Sequence, residues 1–172
     1  VDLETGERLW TKPLDEGVHN APALGTLHSH DRLAVIFGAG VPPNALPIPG
    51  TARWHNGTVY AVDATNGELI WTFKPPGWWG AAAAGSTFQK VCSPDLFSGA
   101  TFGKDGTVYI NWSAAGITYA LRDVNKDGVC DPEDPEEVSG FDFGSAATGP
   151  PALAEQMLVV NTCGGVRAIK SG

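Results

Sequence analysis

The stretch Ala61-Val62-Asp63-Ala64-Thr65-Asn66-Gly67-Glu68-Leu69-Ile70-Trp71 decides how the rest of the chain is read. Residues Val59 to Asp63 form a β-prone run, and Glu68 to Phe73 form another. Between them, Thr65-Asn66-Gly67 tolerates positive φ, so the two runs are expected to fold back as a hairpin. A Trp on the return strand brings a large apolar area, and a facing Ala leaves room for its ring.

A single hairpin of this kind would be ordinary, but the pattern recurs. Val1-Asp2-Leu3-Glu4-Thr5-Gly6-Glu7-Arg8-Leu9-Trp10 carries the same acid, glycine and tryptophan in phase, beginning one residue into the motif. Ala168-Ile169-Lys170-Ser171-Gly172 repeats its opening and stops at the glycine. A unit repeated in phase marks a repeat array, and motifs cut at both ends predict a piece of a larger one.

With these residues the chain resembles the tryptophan-docking repeat of pyrroloquinoline-quinone-type (PQQ-like) β-propellers. That family holds both quinoprotein dehydrogenases and non-enzymatic scaffold propellers, such as outer-membrane assembly lipoproteins. The resemblance runs over nearly the whole chain and implies an all-β fold of four-stranded antiparallel blades, strands A to D from the channel outward. It predicts one partial propeller domain over 1–172: the end of a blade at 1–11, a blade at 18–73, another at 91–143 and an incomplete one at 149–172.

Glu7 to Thr11 is expected as a strand D. The first blade then has A near 18–24, B at 33–37, C at 58–63 and D at 68–73. The second has A near 91–97 or slightly later, B at 107–112, C at 117–121 and D near 138–143. The last has A near 151–153, B at 157–161 and C at 165–169. The pairs Ala21-Pro22, Ser93-Pro94 and Pro150-Pro151 punctuate each strand A in register. Three blades do not close a ring, so the expectation is an open fan from a propeller of six to eight blades by family resemblance.

Composition agrees with short strands and tight turns: 22 Gly, 13 Pro and 6 Trp stand against one Met. No window sustains a 3.6-residue period, and no apolar run reaches membrane-spanning length. A formal charge of −8 without a basic cluster argues against nucleic-acid binding. The first residue falls inside a repeat, so the sequence is silent on targeting.

Strand direction puts the two long insertions, 38–57 between B and C and 74–90 between D and A, on one face. Loops of such length are usually functional or disordered. They carry Trp54, Trp78 and Trp79 among Pro and Gly. Two readings stand: the rings cap the blade ends, or they stack against a sugar, peptide or cofactor. A protein, small-molecule or carbohydrate partner is therefore placed on this face. The remaining blades are a second expected partner.

The strongest chemical motif is the acidic loop from Asp123 to Asp134. Oxygen-bearing side chains occupy its positions 1, 3, 5, 9 and 12 (Asp123, Asn125, Asp127, Asp131, Asp134), with Gly128 at position 6. Val129 at position 7 would offer its carbonyl. Hard cations such as calcium need six to eight oxygens, which alternate residues of a curled loop supply. The spacing resembles the calcium loops of EF-hands, dockerins and integrin-type propellers, with Asp at position 12 as in dockerins. The loop replaces the tight turn between strands C and D, so its expected task is to tie that hairpin. Eight of the 19 acids lie between Asp123 and Asp142, with Lys126 the one basic residue in that span. Such crowding is repulsive unless a cation neutralises it; otherwise the run is a solvated acidic turn.

Cys92, Cys130 and Cys163 lack CxxC spacing, which argues against zinc. Cys92 and Cys163 fall on one face of neighbouring blades. They are either a disulfide in an oxidising compartment, extracellular or periplasmic, or two separate buried thiols. His28-Ser29-His30-Asp31 lies in an A–B turn and reads poorly as a metal cluster. Asn56-Gly57-Thr58 and Asn111-Trp112-Ser113 match the glycosylation triplet, the second on an expected strand.

Three functional classes follow: a non-catalytic scaffold with a structural calcium ion, part of a PQQ- and calcium-dependent alcohol or sugar dehydrogenase, and a secreted carbohydrate-binding module. The dehydrogenases of the family carry channel acids, an Asn, a basic residue near the quinone and, in alcohol dehydrogenases, adjacent cysteines. None maps onto this chain residue by residue, and no catalytic constellation is found. The scaffold is the preferred reading.

Overall fold

The computed structural model describes residues 1–28, 30–40, 53–80, 83–87, 89–90, 92 and 94–170. Most of the first long insertion, Ser29 of the histidine turn, Val91 and Ser93 at the second strand A, and the last two residues of the third motif copy lie outside the described residues.

The two described motif copies close their turns identically. Asp63 N donates to Glu68 O at 2.8 Å and Gly67 N to Asp63 O at 2.9 Å; Asp2 N donates to Glu7 O at 2.8 Å and Gly6 N to Asp2 O at 2.9 Å. In both, the Asp carboxylate accepts the amide two residues on, from Thr65 and from Glu4. Both glycines hold positive φ, +74° at Gly67 and +73° at Gly6, which a Cβ makes costly.

Among the described residues, thirteen strands form four antiparallel sheets, none closed on itself, and no helix is present. The first sheet runs in the order β1 (Ala23–Thr26), β2 (Leu33–Gly40), β4 (Gly57–Asp63), β5 (Leu69–Phe73). The second contains β7 (Thr101–Phe102), β8 (Val108–Trp112), β9 (Ile117–Leu121) and β10 (Val138–Asp142), again neighbour to neighbour. The third contains β11 (Ala152–Ala154), β12 (Met157–Thr162) and β13 (Gly165–Lys170). A separate ribbon pairs β3 (Arg53–His55) with β6 (Trp78–Gly80).

Register shows which face is buried. Ala23, Ile36, Ala61 and Trp71 lie in one row across the first sheet, and Gly38, Val59 and Phe73 in the next. Ala61 thus stands directly opposite Trp71. This face meets the second sheet through close ring contacts. A Cβ on Gly38 would lie 2.5 Å from the Phe97 ring, and one on Gly25 would lie 2.5 Å from Phe102. Phe73 meets Tyr119 edge-on at 4.9 Å, and Phe97 meets Trp112 at 4.7 Å. One buried cluster therefore serves both sheets, while Phe143, Ala147 and Val160 form a smaller one beside the third.

Strands B, C and D, and the last strand A, sit close to their expected places, but the first two A strands are displaced. In the first sheet strand A begins after Pro22, which has no N–H to give a ladder. In the second it is only Thr101–Phe102. Upstream of it, Leu96 and Phe97 turn their side chains over Gly40 and Gly57 of the first sheet. Residues 7–11 form no strand. Trp10 leaves the line to set its ring over Gly67 and to donate Nε1–H to Ala64 O at 2.9 Å.

Candidate functional site: the acidic loop and its neighbours

The acidic loop spans β9 to β10 and is folded around a residue outside the expected ligand set. Glu137 is fully buried, at 1% exposure. Its Oε1 accepts the amides of Val124 and Asn125 at 3.0 and 3.1 Å, and its Oε2 accepts that of Asp131 at 3.0 Å. One carboxylate thus joins both limbs of the loop. Backbone bonds complete the closure, from Arg122 N to Glu137 O and from Val138 N to Asp134 O. Lys126 and Gly128 take the positive φ that the curl requires.

The expected ligands divide. Asn125, Asp127, Asp131 and Asp134 each accept, on Oδ1, the amide two residues on: from Asp127, Val129, Glu133 and Glu136. Asn125 Nδ2 also donates to Asp127 Oδ2 at 3.1 Å. Val129 is half-exposed. Asp123 behaves differently, with a side chain fully withdrawn from solvent. Its Oδ2 meets His30 Nε2 at 3.0 Å, and its Oδ1 is buried with no hydrogen-bond partner. Beside it lies the buried Cys130 thiol. Desolvation first, then the charges of Asp123, Glu137 and Asp127, push that thiol's pKa up.

Among the described residues, no three His, Cys, Asp or Glu side chains already group as metal ligands. The Glu137 carboxylate is met by three amides, so the uncompensated oxygen of the loop is Asp123 Oδ1. Glu137 lay beyond the motif template, three residues past Asp134. Only its burial distinguishes it from the neighbouring Glu133 and Glu136.

The loop also reaches another sheet. Thr72 N donates to Gly128 O at 3.0 Å, and Cys130 N donates to Thr72 O at 2.9 Å. These bonds form a parallel bridge between Thr72 and Val129, laid on the outer side of β5. The connection of the second sheet thereby covers the edge of the first, where β5 would present open N–H and C=O groups.

The tryptophans of the long insertions converge in the β3–β6 ribbon. Trp54 faces Trp79, with ring centroids 5.6 Å apart at 60°. Their exposures are 62% and 55%, so both offer ring surface to solvent. Trp78 instead stacks on His55 at 5.3 Å and packs against the main core, while His55 Nε2 bonds Gly80 O at 3.0 Å. The ribbon had no local signal beyond its aromatic residues.

Cys92 and Cys163 are joined in a disulfide, with Cα atoms 5.9 Å apart. Cys92 sits in a connection rather than in a strand, and Cys163 in the β12–β13 turn. The two described histidines of the A–B turn diverge: His28 Nδ1 bonds Asp105 O at 2.9 Å, and His30 goes to Asp123. Of the two glycosylation triplets, Asn56 is exposed. Asn111 is fully buried, with Nδ2 bonded to Gly149 O at 2.7 Å. Among the described residues, no helix is long and apolar enough to cross a membrane.

No family model and no curated protein matches the chain.

Proposed function

We propose that this chain is a run of PQQ-like propeller blades serving as a non-catalytic binding scaffold, with the acidic loop as a structural calcium site. The observation that carries this reading is the bridge from Thr72 to Gly128 and Cys130, which makes the loop a clasp between sheets. Asp123, with its donorless Oδ1, is the residue best suited to hold the ion, and Asn125, Asp127 and the Val129 carbonyl lie along the same curl. When bound, calcium supplies positive charge among acids that otherwise repel one another. The paired turns around Asp2 and Asp63, and the docking of Trp10 on Gly67, support the repeat reading.

Calorimetric titration with calcium chloride tests the loop; heat of binding and a raised melting temperature are expected. Absence of both rejects the calcium site. Addition of PQQ with calcium, followed by a dye-linked oxidation assay on alcohols and sugars, tests the scaffold. Dye reduction would replace it with the dehydrogenase reading.

The exposed Trp54–Trp79 pair favours a second binding role, because aromatic faces stack on the C–H faces of sugars. Quenching of tryptophan fluorescence by soluble oligosaccharides, abolished in a Trp54→Ala, Trp79→Ala double variant, is its expected signature.

A further inference from the structure

The second sheet repeats the frame of the first but lacks its large ring. Arg122 N donates to Glu137 O as Asp63 N donates to Glu68 O, so the ends of β9–β10 and β4–β5 correspond. Two residues before each of those donors stands an alanine, Ala61 in one sheet and Ala120 in the other. Ala61 pairs with Trp71, whereas Ala120 pairs with Ser139. Phe141, opposite Thr118, takes the place of Phe73, opposite Val59. In the first sheet these positions are packed shut, with Trp71 and Phe73 fully buried in the core shared with the second sheet. In the second sheet they turn to the third, and Phe141 is 49% exposed. A cleft of about 470 Å³ lies between those two sheets. Tyr109, Ala120, Ser139 and Phe141 line one wall; Leu153, Leu158 and Ile169, paired in a row across the third sheet, line the other. No charged residue among the described ones lines it.

We infer that this cleft binds a neutral, flat aromatic molecule of indole size, which takes the place that Trp71 holds between the first two sheets. The first sheet shows what the frame accepts opposite its alanine, and Ser139 removes that ring while leaving the walls. The volume falls within the range of small-molecule clefts, about 300–1,000 Å³. Walls of Leu, Ile and Phe favour transfer of an apolar ring out of water, and offset or edge-on contact with Phe141 or Tyr109 adds aromatic attraction. Phe141 is itself braced edge-on against Phe143 at 4.9 Å. The Ser139 and Tyr109 hydroxyls and the Gln156 amide supply hydrogen-bonding groups without a counter-charge. An anion would lose its hydration there with nothing to replace it, in a chain whose formal charge is already −8. The site owes nothing to the acidic loop or to the Trp54–Trp79 pair, whose residues do not line it.

Indole is the probe, titrated into the whole chain by calorimetry, with methyl NMR shifts read at Leu153, Leu158 and Ile169. Saturable binding that moves those methyls is expected. Ser139→Trp puts a ring of the chain's own into the cleft. It is expected to weaken indole binding about 10-fold or more and to raise the melting temperature, because it fills space already present. The Trp54→Ala, Trp79→Ala double variant is expected to bind as the wild type does. The indoleacetate anion is expected to bind about 10-fold more weakly than indole, or worse. No uptake by the wild type overturns the site, and so does undiminished uptake by Ser139→Trp. Loss of binding in the double variant moves the ligand to the exposed tryptophan pair and overturns it as well. Equal binding of the anion overturns the neutral class. If sedimentation finds the wild type dimeric and Ser139→Trp monomeric, a second copy fills the cleft and the small-molecule assignment falls. Should Ser139→Trp fail to fold, Ala120→Leu narrows the cleft from the paired position, with the same expected loss of indole.

Discussion

At the scale of single residues, Gly67 and Gly6 occupy equivalent turns with different surroundings. Both hold φ near +74°, but only Gly67 lies under a ring: a Cβ there would stand 2.7 Å from Trp10 Cε3, whereas one on Gly6 meets nothing within 4 Å. Gly6→Ala is therefore expected to cost about 1 kcal/mol for the backbone alone. Gly67→Ala is expected to cost roughly 2–3 kcal/mol, because it also lifts Trp10 from its seat. Urea unfolding of the two variants measures the difference. Asp63 belongs to the same turn. The Thr65 hydroxyl and then the Thr65 amide, with Arg32 nearby, hold its carboxyl below the ordinary value of 3.8. Because the folded-state pKa is the lower one, the contribution is present above pH 4 and is lost as pH falls through the folded value. The wild type is expected to lose more melting temperature than Asp63→Asn between pH 5 and pH 2.

At the scale of elements, the hairpins were legible because alternation and a glycine turn are local properties. β9 lies where the pattern put it, and β4 and β5 differ by one residue at one end. Strand A was less legible, since Leu96 and Phe97 are spent on contacts with the neighbouring sheet rather than on the ladder. Phe97 fills space that Gly38 and Gly57 leave open, where a Cβ would come within 2.6 Å of its ring. Phe97→Ala is accordingly expected to cost about 3–5 kcal/mol by opening a cavity between the sheets. Gly38→Ala would overpack the same place at about 1–3 kcal/mol. Denaturant midpoints of the two variants separate the mechanisms, because the double variant should recover part of the loss. In the acidic loop, the oxygen spacing from Asp123 to Asp134 was readable. The burial of Glu137 was not, because nothing adjacent in sequence separates it from Glu133 and Glu136.

At the scale of the molecule, the sheets are coupled through the shared core, the Thr72 bridge and the Cys92–Cys163 disulfide, among other contacts. The disulfide encloses the whole second sheet, with a sequence separation of 71. Loop-closure entropy for a ring of that size gives about 4 kcal/mol as an upper figure. Reduction, or Cys163→Ser, is expected to lower stability by roughly 2–4 kcal/mol in a denaturant titration. Cys130→Ala is expected to leave the disulfide's contribution intact, since that cysteine is free and buried.

The sequence by itself determined the all-β class, the hairpin positions and the phase in which the tryptophan motif recurs. These depend on φ tolerance at Gly6 and Gly67 and on side-chain alternation, which neighbouring residues set. The tertiary structure alone decided the rest. It brought Trp54 to Trp79, Cys92 to Cys163, Thr72 to Cys130 and Glu137 into the loop interior. Each of those pairings is a choice among many chemically equivalent partners. It is settled by which edges and faces the packed sheets leave uncovered, and no local window of sequence contains that information.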